Sequence, residues 1–392
     1  MDAKAIARQT LDGHAADLVG LSHQLHQDPE LGFAEYHAAE ALGKALEAGG
    51  FAVTRGVGDL PTAFVATAGE GDLRLAICAE YDALPDIGHA CGHNVIAAAA
   101  TGAALALAPV ADELGLTVQV VGTPAEEGGG GKILLLEAGA FEGVHAAMMV
   151  HPSPREEAAP RTLAVAHLEV GYTGRAAHAA AYPEMGVNAA DALTVAQVGV
   201  GLLRQHILPH QRIHGIVTKG GAAPNIVPAE TAAAYYVRAA TLAELAELEP
   251  RVRACFEAGA TATGCGLSVE PVSPPYSEFT PDEALVAAYR RNAQAIGRPL
   301  PDVDRAQPHG STDMANVSLA LPAIQPMVSI DCDGSVNHQP EFARYCAEPS
   351  ADQAALEGAA AMAWTAIDVA GDQEVRRRLL AGTRRPLAEA SP

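Results

Sequence analysis

The chain has 392 residues, 49% of them hydrophobic, and its 47 Asp and Glu outnumber 25 Lys and Arg for a formal net charge of −22. That length sets two domains as the expectation, with ample chain to bury a core. The acidic balance argues against a nucleic-acid or membrane partner, and six scattered cysteines are not the dense framework of a small secreted scaffold.

The opening stretch MDAKAIARQTLDGHAADLVG carries no continuous apolar run of the secretory kind, so the expectation is a cytoplasmic protein. Apolar residues recur at helical spacing from about Ala15 to Leu25 and again through EYHAAEALGKALEAGG, whose closing glycines suit a helix C-terminus. The pattern then shortens. Runs at Leu73–Ala79, Leu116–Gly122 and His145–Val150 read as strands, with helices between them at Val95–Leu107 and Lys132–Ala140. The longest apolar run, Val95–Val110, is Ala-rich, holds Gly and Pro, and falls short of the roughly 18 residues of a membrane span, so it reads as a buried helix. Strands alternating with helices specify an α/β domain whose parallel-rich mixed sheet is covered on both faces.

From Leu168 the texture changes. LEVGYTG and AAAYYVRAA read as strands, Ala189–Leu203 and Leu242–Ala258 as helices, and VEPVSPPYSEFTPDEAL, with four prolines, as a return link. The expectation is a smaller α+β domain over residues 168–276, inserted in a first domain formed by residues 1–167 and 277–392. The charged tail after Gly371 is prone to fray.

The polar clusters follow the strands. Glu80 and Asp82 leave the first run, Glu126 and Glu127 the second, and His151 the third. In open α/β sheets ligand sites gather at that C-terminal edge, so three separate stretches converge. Cys91 and His93 in HACGHN can reach one metal from a single loop, although a capping His and a packed Cys would look the same. The pair Glu126 and Glu127 in TPAEEGGGGK repel unless a cation or a shared proton offsets them. A phosphate-binding loop is excluded there, because the glycine and lysine spacing fails and Ile133 stands where Ser or Thr is needed. With His151 in MMVHPSP and His338 in GSVNHQPEF, the set Cys91, His93, Glu127, His151 and His338 suits two borderline transition-metal ions better than Mg²⁺ or Ca²⁺. Glu126 is then left to take a proton from water.

These stretches resemble the M20 family of metallopeptidases and amidohydrolases, in the branch marked by HACGH and PAEE. The resemblance runs in order from LHQDPELGFAE through AEYDALPDIGHACGHN, GTPAEEGGGGKILLLEAGAF, VHP, GRAAHAAAYPEMGVNAADAL and APNIVPAE to GSTDMANVS and NHQPEFA. It implies a catalytic domain interrupted by a smaller lid that forms a homodimer, and two divalent metal ions per subunit, zinc first, with manganese or cobalt as alternatives. Cys91 becomes the bridging ligand beside His93, Glu127, His151 and His338. Glu126 becomes the general base and Asp82 the acid that orients the site from behind. His178 and Asn225 match lid residues that reach the substrate. Asn225, Arg238 and the GSTD stretch containing Ser311 are candidates for holding a substrate carboxylate. Glu80 stands where other branches carry a ligand His and is left off the ligand set. Asn94, where many members of this branch have Asp, points to the subgroup resembling aminobenzoyl-glutamate hydrolases and M20 dipeptidase-like proteins.

The implied reaction is hydrolysis of the amide bond of small N-acyl amino acids or dipeptide-like substrates. Two rival readings stand beside it. One is a cysteine hydrolase built on Cys91 and His93, which leaves the glutamate pair without a role. The other is a non-catalytic homologue that binds a peptide or acyl amino acid, which leaves Glu126 without one.

Overall fold

The computed structural model describes residues 2–301 and 310–382. The chain divides into two compact units, Met1–Arg161 with Phe279–Pro392, and Thr162–Glu278.

In the first unit the apolar runs become β1 (Ala52–Arg55), β2 (Phe64–Ala68), β3 (Leu73–Glu80), β4 (Leu116–Thr123), β5 (Ala146–Met148) and β6 (His151–Ser153). The second unit contributes β7 (Ala164–Thr173), β8 (Arg212–Lys219), β9 (Glu230–Ala239) and β10 (Gly266–Pro271), after which β11 (Ala323–Ile324) and β12 (Met327–Ser329) return to the first. The main sheet runs β1-β2-β4-β3-β5-β11. Its centre is parallel, β3 pairing with β4 and β5 and β5 with β11, while β1 and β2 are antiparallel additions. This is the expected parallel-rich mixed sheet. Every residue of β4 is buried, as a strand covered on both faces requires.

Two boundaries differ from the sequence reading for local reasons. The first helix spans Ala3–Gln27 because the Asp2 side chain accepts the Lys4 amide and starts it early. The run His145–Val150 does not end in a loop at His151: β5 stops at Met148, and His151 opens β6, which pairs in parallel with β12. The apolar segment from His93 to Leu107 is a helix in which every residue is buried. Beyond Gly371, Asp372 accepts the amides of Glu374 and Val375 and starts another helix, Gln373–Ala381, so the described part of the tail is ordered.

The second unit is a four-stranded antiparallel sheet, β10-β7-β9-β8, with the helices Ala189–Leu203 and Leu242–Thr263 packed on one face. Alternate residues Ala164, Ala166, Leu168, Val170 and Tyr172 of β7 enter that core, the period-two pattern of a half-covered sheet. β7 starts at Ala164, ahead of the LEVGYTG segment that first reads as a strand.

Candidate metal centre

The site residues come from strand ends, from the loops that follow them, and from the first residues of β6 and of the helix His93–Leu107. Glu80 is the last residue of β3, with Asp82 two positions on. β4 ends at Thr123 and leads into Ala125, which holds φ 54°, a left-handed conformation costly for a residue with a Cβ. It is held there. The buried Glu35 carboxylate accepts the Ala125 amide at 2.8 Å and the Thr62 hydroxyl at 2.8 Å, so the next two residues, Glu126 and Glu127, leave the strand in a fixed direction. Gly131 lets the following turn close, since a Cβ there would lie 1.8 Å from the Pro124 carbonyl oxygen. Gly92, between Cys91 and His93, has φ 81° and room for no side chain against Pro152.

The buried Asp82 organises the rest. Its Oδ1 accepts from His93 Nδ1 at 2.9 Å and its Oδ2 from the Glu127 amide at 2.9 Å. This leaves Nε2 as the ring atom that can face a metal, the usual second-sphere arrangement of a ligating imidazole. Burial works to raise the Asp82 pKa, but the charge and hydrogen bond of His93 outweigh it and hold the carboxyl below its usual range. His151 donates from Nδ1 to the Pro152 carbonyl at 2.8 Å, which turns Nε2 toward Cys91 Sγ.

The five expected ligands come together. Cys91, His93 and His151 offer donor atoms within 4.8 Å of one another, and Cys91, Glu127 and His338 do the same, so Cys91 belongs to both groups. Cys91 Sγ lies 3.5 Å from His151 Nε2, and Glu127 Oε1 lies 3.4 Å from His338 Nε2. Buried His93 Nε2 has no hydrogen-bond partner among the described residues. A thiol, three imidazoles and a carboxylate with an orphaned ring nitrogen fit a pair of metal ions better than a hydrogen-bond network. From the protein's own charges alone, burial and then the neighbouring Glu127 and Glu126 push the Cys91 thiol well up, so a cation is what would make it a thiolate.

Glu126 is buried, with Oε2 at 3.8 Å from His93 Nε2. Burial, then the charges of Glu80 and Glu127, push its pKa well above the usual carboxylate value. Asn94, fully buried, donates to Ser22 Oγ at 2.9 Å and to the Cys346 carbonyl at 2.8 Å. Both partners lie outside the ligand cluster, so the exchange of Asp for Asn at this position does not alter the ligand set.

Other candidates lie elsewhere. His178 and Asn225 are in the second unit, joined through the Ala179 amide, which donates to the Asn225 carbonyl at 3.0 Å. His178 Nδ1 accepts the amides of Ala180 and Ala181 at 3.3 and 3.2 Å, so the neutral ring carries its proton on Nε2. Arg238 of β9 is half-buried and donates to His214 Nε2 at 3.1 Å across the face of Tyr236. Ser311 stands in the first unit, two residues before Asp313.

A group that sequence reasoning did not assign is Lys132, fully buried, with Nζ 2.5 Å from Glu80 Oε1 and 2.6 Å from Asp313 Oδ1. The Lys132 amide also donates to Asp313 Oδ2 at 2.9 Å. Burial disfavours the ammonium, but the two carboxylates outweigh that and hold it charged. The only trace in the sequence was a lysine behind four glycines at a strand end.

A donor set of this kind at the C-terminal edge of a mostly parallel sheet is that of a metallohydrolase. The chain belongs to peptidase family M20/M25/M40, whose profile matches residues 76–363, and it is a hydrolase acting on amide bonds. Xaa-Arg dipeptidase of Mus musculus is 40% identical over 383 residues, 93% of this chain and 88% of that protein. A p-aminobenzoyl-glutamate hydrolase polypeptide of Escherichia coli is 34% identical, over 71% of this chain and 62% of its own length. Among solved structures, a Bacillus subtilis protein described as a dinuclear metal binding peptidase of family M20 superposes with a TM-score of 0.67, at 22% identity, over 92% of this chain and 99% of its own.

Proposed function

We propose that the chain is a two-metal dipeptidase that removes a basic C-terminal residue, arginine or lysine, from small dipeptides. The observation that carries the two-metal part is the convergence of Cys91, His93, Glu127, His151 and His338 into two triplets sharing Cys91. The substrate class is supported by the similarity to Xaa-Arg dipeptidase over 93% of the chain. It is also supported by a cavity of about 710 Å³ in the first unit, lined by Ser153 of His151's own strand together with Arg155, Asp331 and Asp333. Two aspartates suit a guanidinium or ammonium, and Arg155 suits the terminal carboxylate.

Held by Cys91, His93, Glu127, His151 and His338, two divalent ions, zinc first and manganese or cobalt as alternatives, would supply Lewis-acid polarisation of the scissile carbonyl and increased acidity of the attacking water. Glu126 accepts the proton of the attacking water and returns it to the leaving amine, a role helped by the raised basicity that burial and its acidic neighbours give it. Asp82 keeps His93 and the Glu127 backbone in place while this happens. His178, with its proton on Nε2, is the candidate donor to the developing oxyanion. Asn225, Arg238 and Ser311 are further candidates for carboxylate recognition.

The test is metal content of protein purified without added metal, together with turnover of Xaa-Arg, Xaa-Lys, neutral dipeptides and p-aminobenzoyl-glutamate before and after chelation. About two ions per chain, chelator-sensitive turnover and a preference for the basic dipeptides are expected. Asp331→Asn with Asp333→Asn should raise KM for Xaa-Arg about tenfold and leave neutral dipeptides unchanged. Metal-free protein that still turns over would sink the two-metal reading, and equal loss on neutral substrates would sink the role of the aspartates.

We further propose a homodimer formed through the second unit. β8 is an edge strand with Ile216 and Val217 exposed, and the helix Ala189–Leu203 leaves Val198 and Leu202 exposed, apolar surface that a monomer leaves in water. Sedimentation velocity showing only monomer at micromolar concentration would refute it.

A further inference from the structure

The segment 30–35 lies as a strap across both loops that carry the acids of the centre. The Glu30 carbonyl accepts the Ala83 amide at 2.8 Å, and Leu31 bridges to Ala83, one residue past Asp82. Gly32 packs on the other loop, where a Cβ would lie 2.9 Å from Ala125 Cβ and 4.0 Å from Asp82 Oδ2. Phe33 holds φ 64°, and its ring closes on the same turn, since a Cβ on Gly129 would lie 2.6 Å from its Cε2. Two residues with side chains, Phe33 and Ala125, thus stand in left-handed conformations where the strap meets the turn that delivers Glu126. Backbone strain of that kind persists only where the surroundings over-determine it, and it gathers at working sites.

Glu35 carries the hold. It stands at the N-terminal cap of the helix Tyr36–Ala48, yet its side chain caps nothing there, and Glu30 accepts the His37 and Ala38 amides at 3.1 and 2.9 Å instead. The Glu35 carboxylate turns inward, fully buried, to the Ala125 amide and the Thr62 hydroxyl. The Thr62 carbonyl in turn accepts the Tyr81 hydroxyl at 2.6 Å, and Tyr81 lies between Glu80 and Asp82. One carboxylate therefore ties the end of β4 to the end of β3. A buried carboxylate that meets an amide and a hydroxyl rather than a cation is a costly way to join two loops, and apolar packing would join them at lower cost.

We propose, resting on the reading of Glu126 as general base, that Glu35 is a positioning residue for it. Glu35 holds Ala125 in its left-handed conformation and so aims Glu126 at the attacking water. Glu127 has a second anchor, because its amide donates to Asp82 Oδ2 at 2.9 Å. Loss of the hold should therefore reduce turnover before it reduces metal binding.

Glu35→Met removes the acceptor at similar volume. It is expected to lower kcat on the best substrate of the dipeptide panel by about 10–100-fold, with KM within about twofold of wild type and cobalt uptake by the metal-stripped chain at wild-type affinity. Glu35→Gln, whose side-chain carbonyl can still accept the Ala125 amide, is expected to recover most of that loss. Glu35→Met combined with Ala125→Gly is expected to recover most of it as well, because glycine adopts a positive φ without being held. A side chain that only filled space would not be rescued by a glycine at residue 125. A folded Glu35→Met variant with wild-type kcat, or one that the glycine does not rescue, overturns the inference. Cobalt uptake lost in step with kcat also overturns it, since the whole centre would then have come apart. If Glu126→Gln keeps wild-type kcat, the base reading fails and takes this inference with it, whereas an impaired Glu126→Gln beside an unimpaired Glu35→Met overturns this inference alone. Should Glu35→Met not fold by circular dichroism, Glu35→Asp, which keeps the charge and withdraws the acceptor by one methylene, is read with the same glycine and by the same outcomes.

Discussion

Glu126→Gln is expected to lower kcat by about 10²–10⁴-fold while metal content and KM stay at wild-type values. The substitution is nearly isosteric, and it removes one of the carboxylates that crowd the centre, since burial and the charges of Glu80 and Glu127 already push the Glu126 pKa up. Loss of that charge relieves repulsion, so neither folding nor metal uptake should suffer. What disappears is the group that can carry a proton from water to the leaving amine. Steady-state kinetics paired with elemental analysis decide the matter. An unchanged kcat would put the base elsewhere. A variant that loses a metal ion would make Glu126 a ligand, which its place beside Glu80 and His93 within 4.8 Å makes a meaningful alternative outcome.

How far the sequence could be read depended on the range of the interaction. Strand ends were legible because apolar runs of β3 and β4 stop where charged residues begin, and Glu80 and Glu126 mark those ends without any knowledge of pairing. The five residues whose donor atoms come together were legible because they sit on short motifs of His, Cys and Glu. His151 came out on β6 because a three-residue strand paired to β12 has no periodicity to detect. β8 and β10 were missed because most of their residues are exposed, so neither shows the apolar run that marks a buried strand. The partners of Lys132 were out of reach: Asp313 lies 181 residues away, and a lysine next to four glycines gives no sign of being fully buried. Glu35 was equally silent, since its hold on the Ala125 amide spans 90 residues.

Lys132→Met should destabilise the metal-stripped first unit by about 3–5 kcal/mol, the usual cost of removing one partner from a buried ionic group. The side chain is fully buried, so the loss is not screened by water, and Met fills much the same volume, so the effect is one of charge rather than of a cavity. Glu80 and Asp313 would then face each other across the space left by the ammonium, each with an oxygen that had lain within 2.6 Å of it. The measurement is urea unfolding followed by the fluorescence of Trp364, the sole tryptophan, which lies in the first-unit helix Pro349–Gly371 and so reports that unit separately from the second. A change below about 1 kcal/mol would mean that the two acids share a proton once the lysine is gone, and that the triad contributes little net stability. Repeating the unfolding with excess zinc adds a second arm. A cation that binds only the folded state stabilises it in proportion to the logarithm of its concentration over its dissociation constant. A cation bound beside His93 lies near the carboxylate that Lys132 abandoned, so the penalty of Lys132→Met should shrink when metal is present. A penalty unchanged by zinc would place the cation beyond reach of the Glu80 charge.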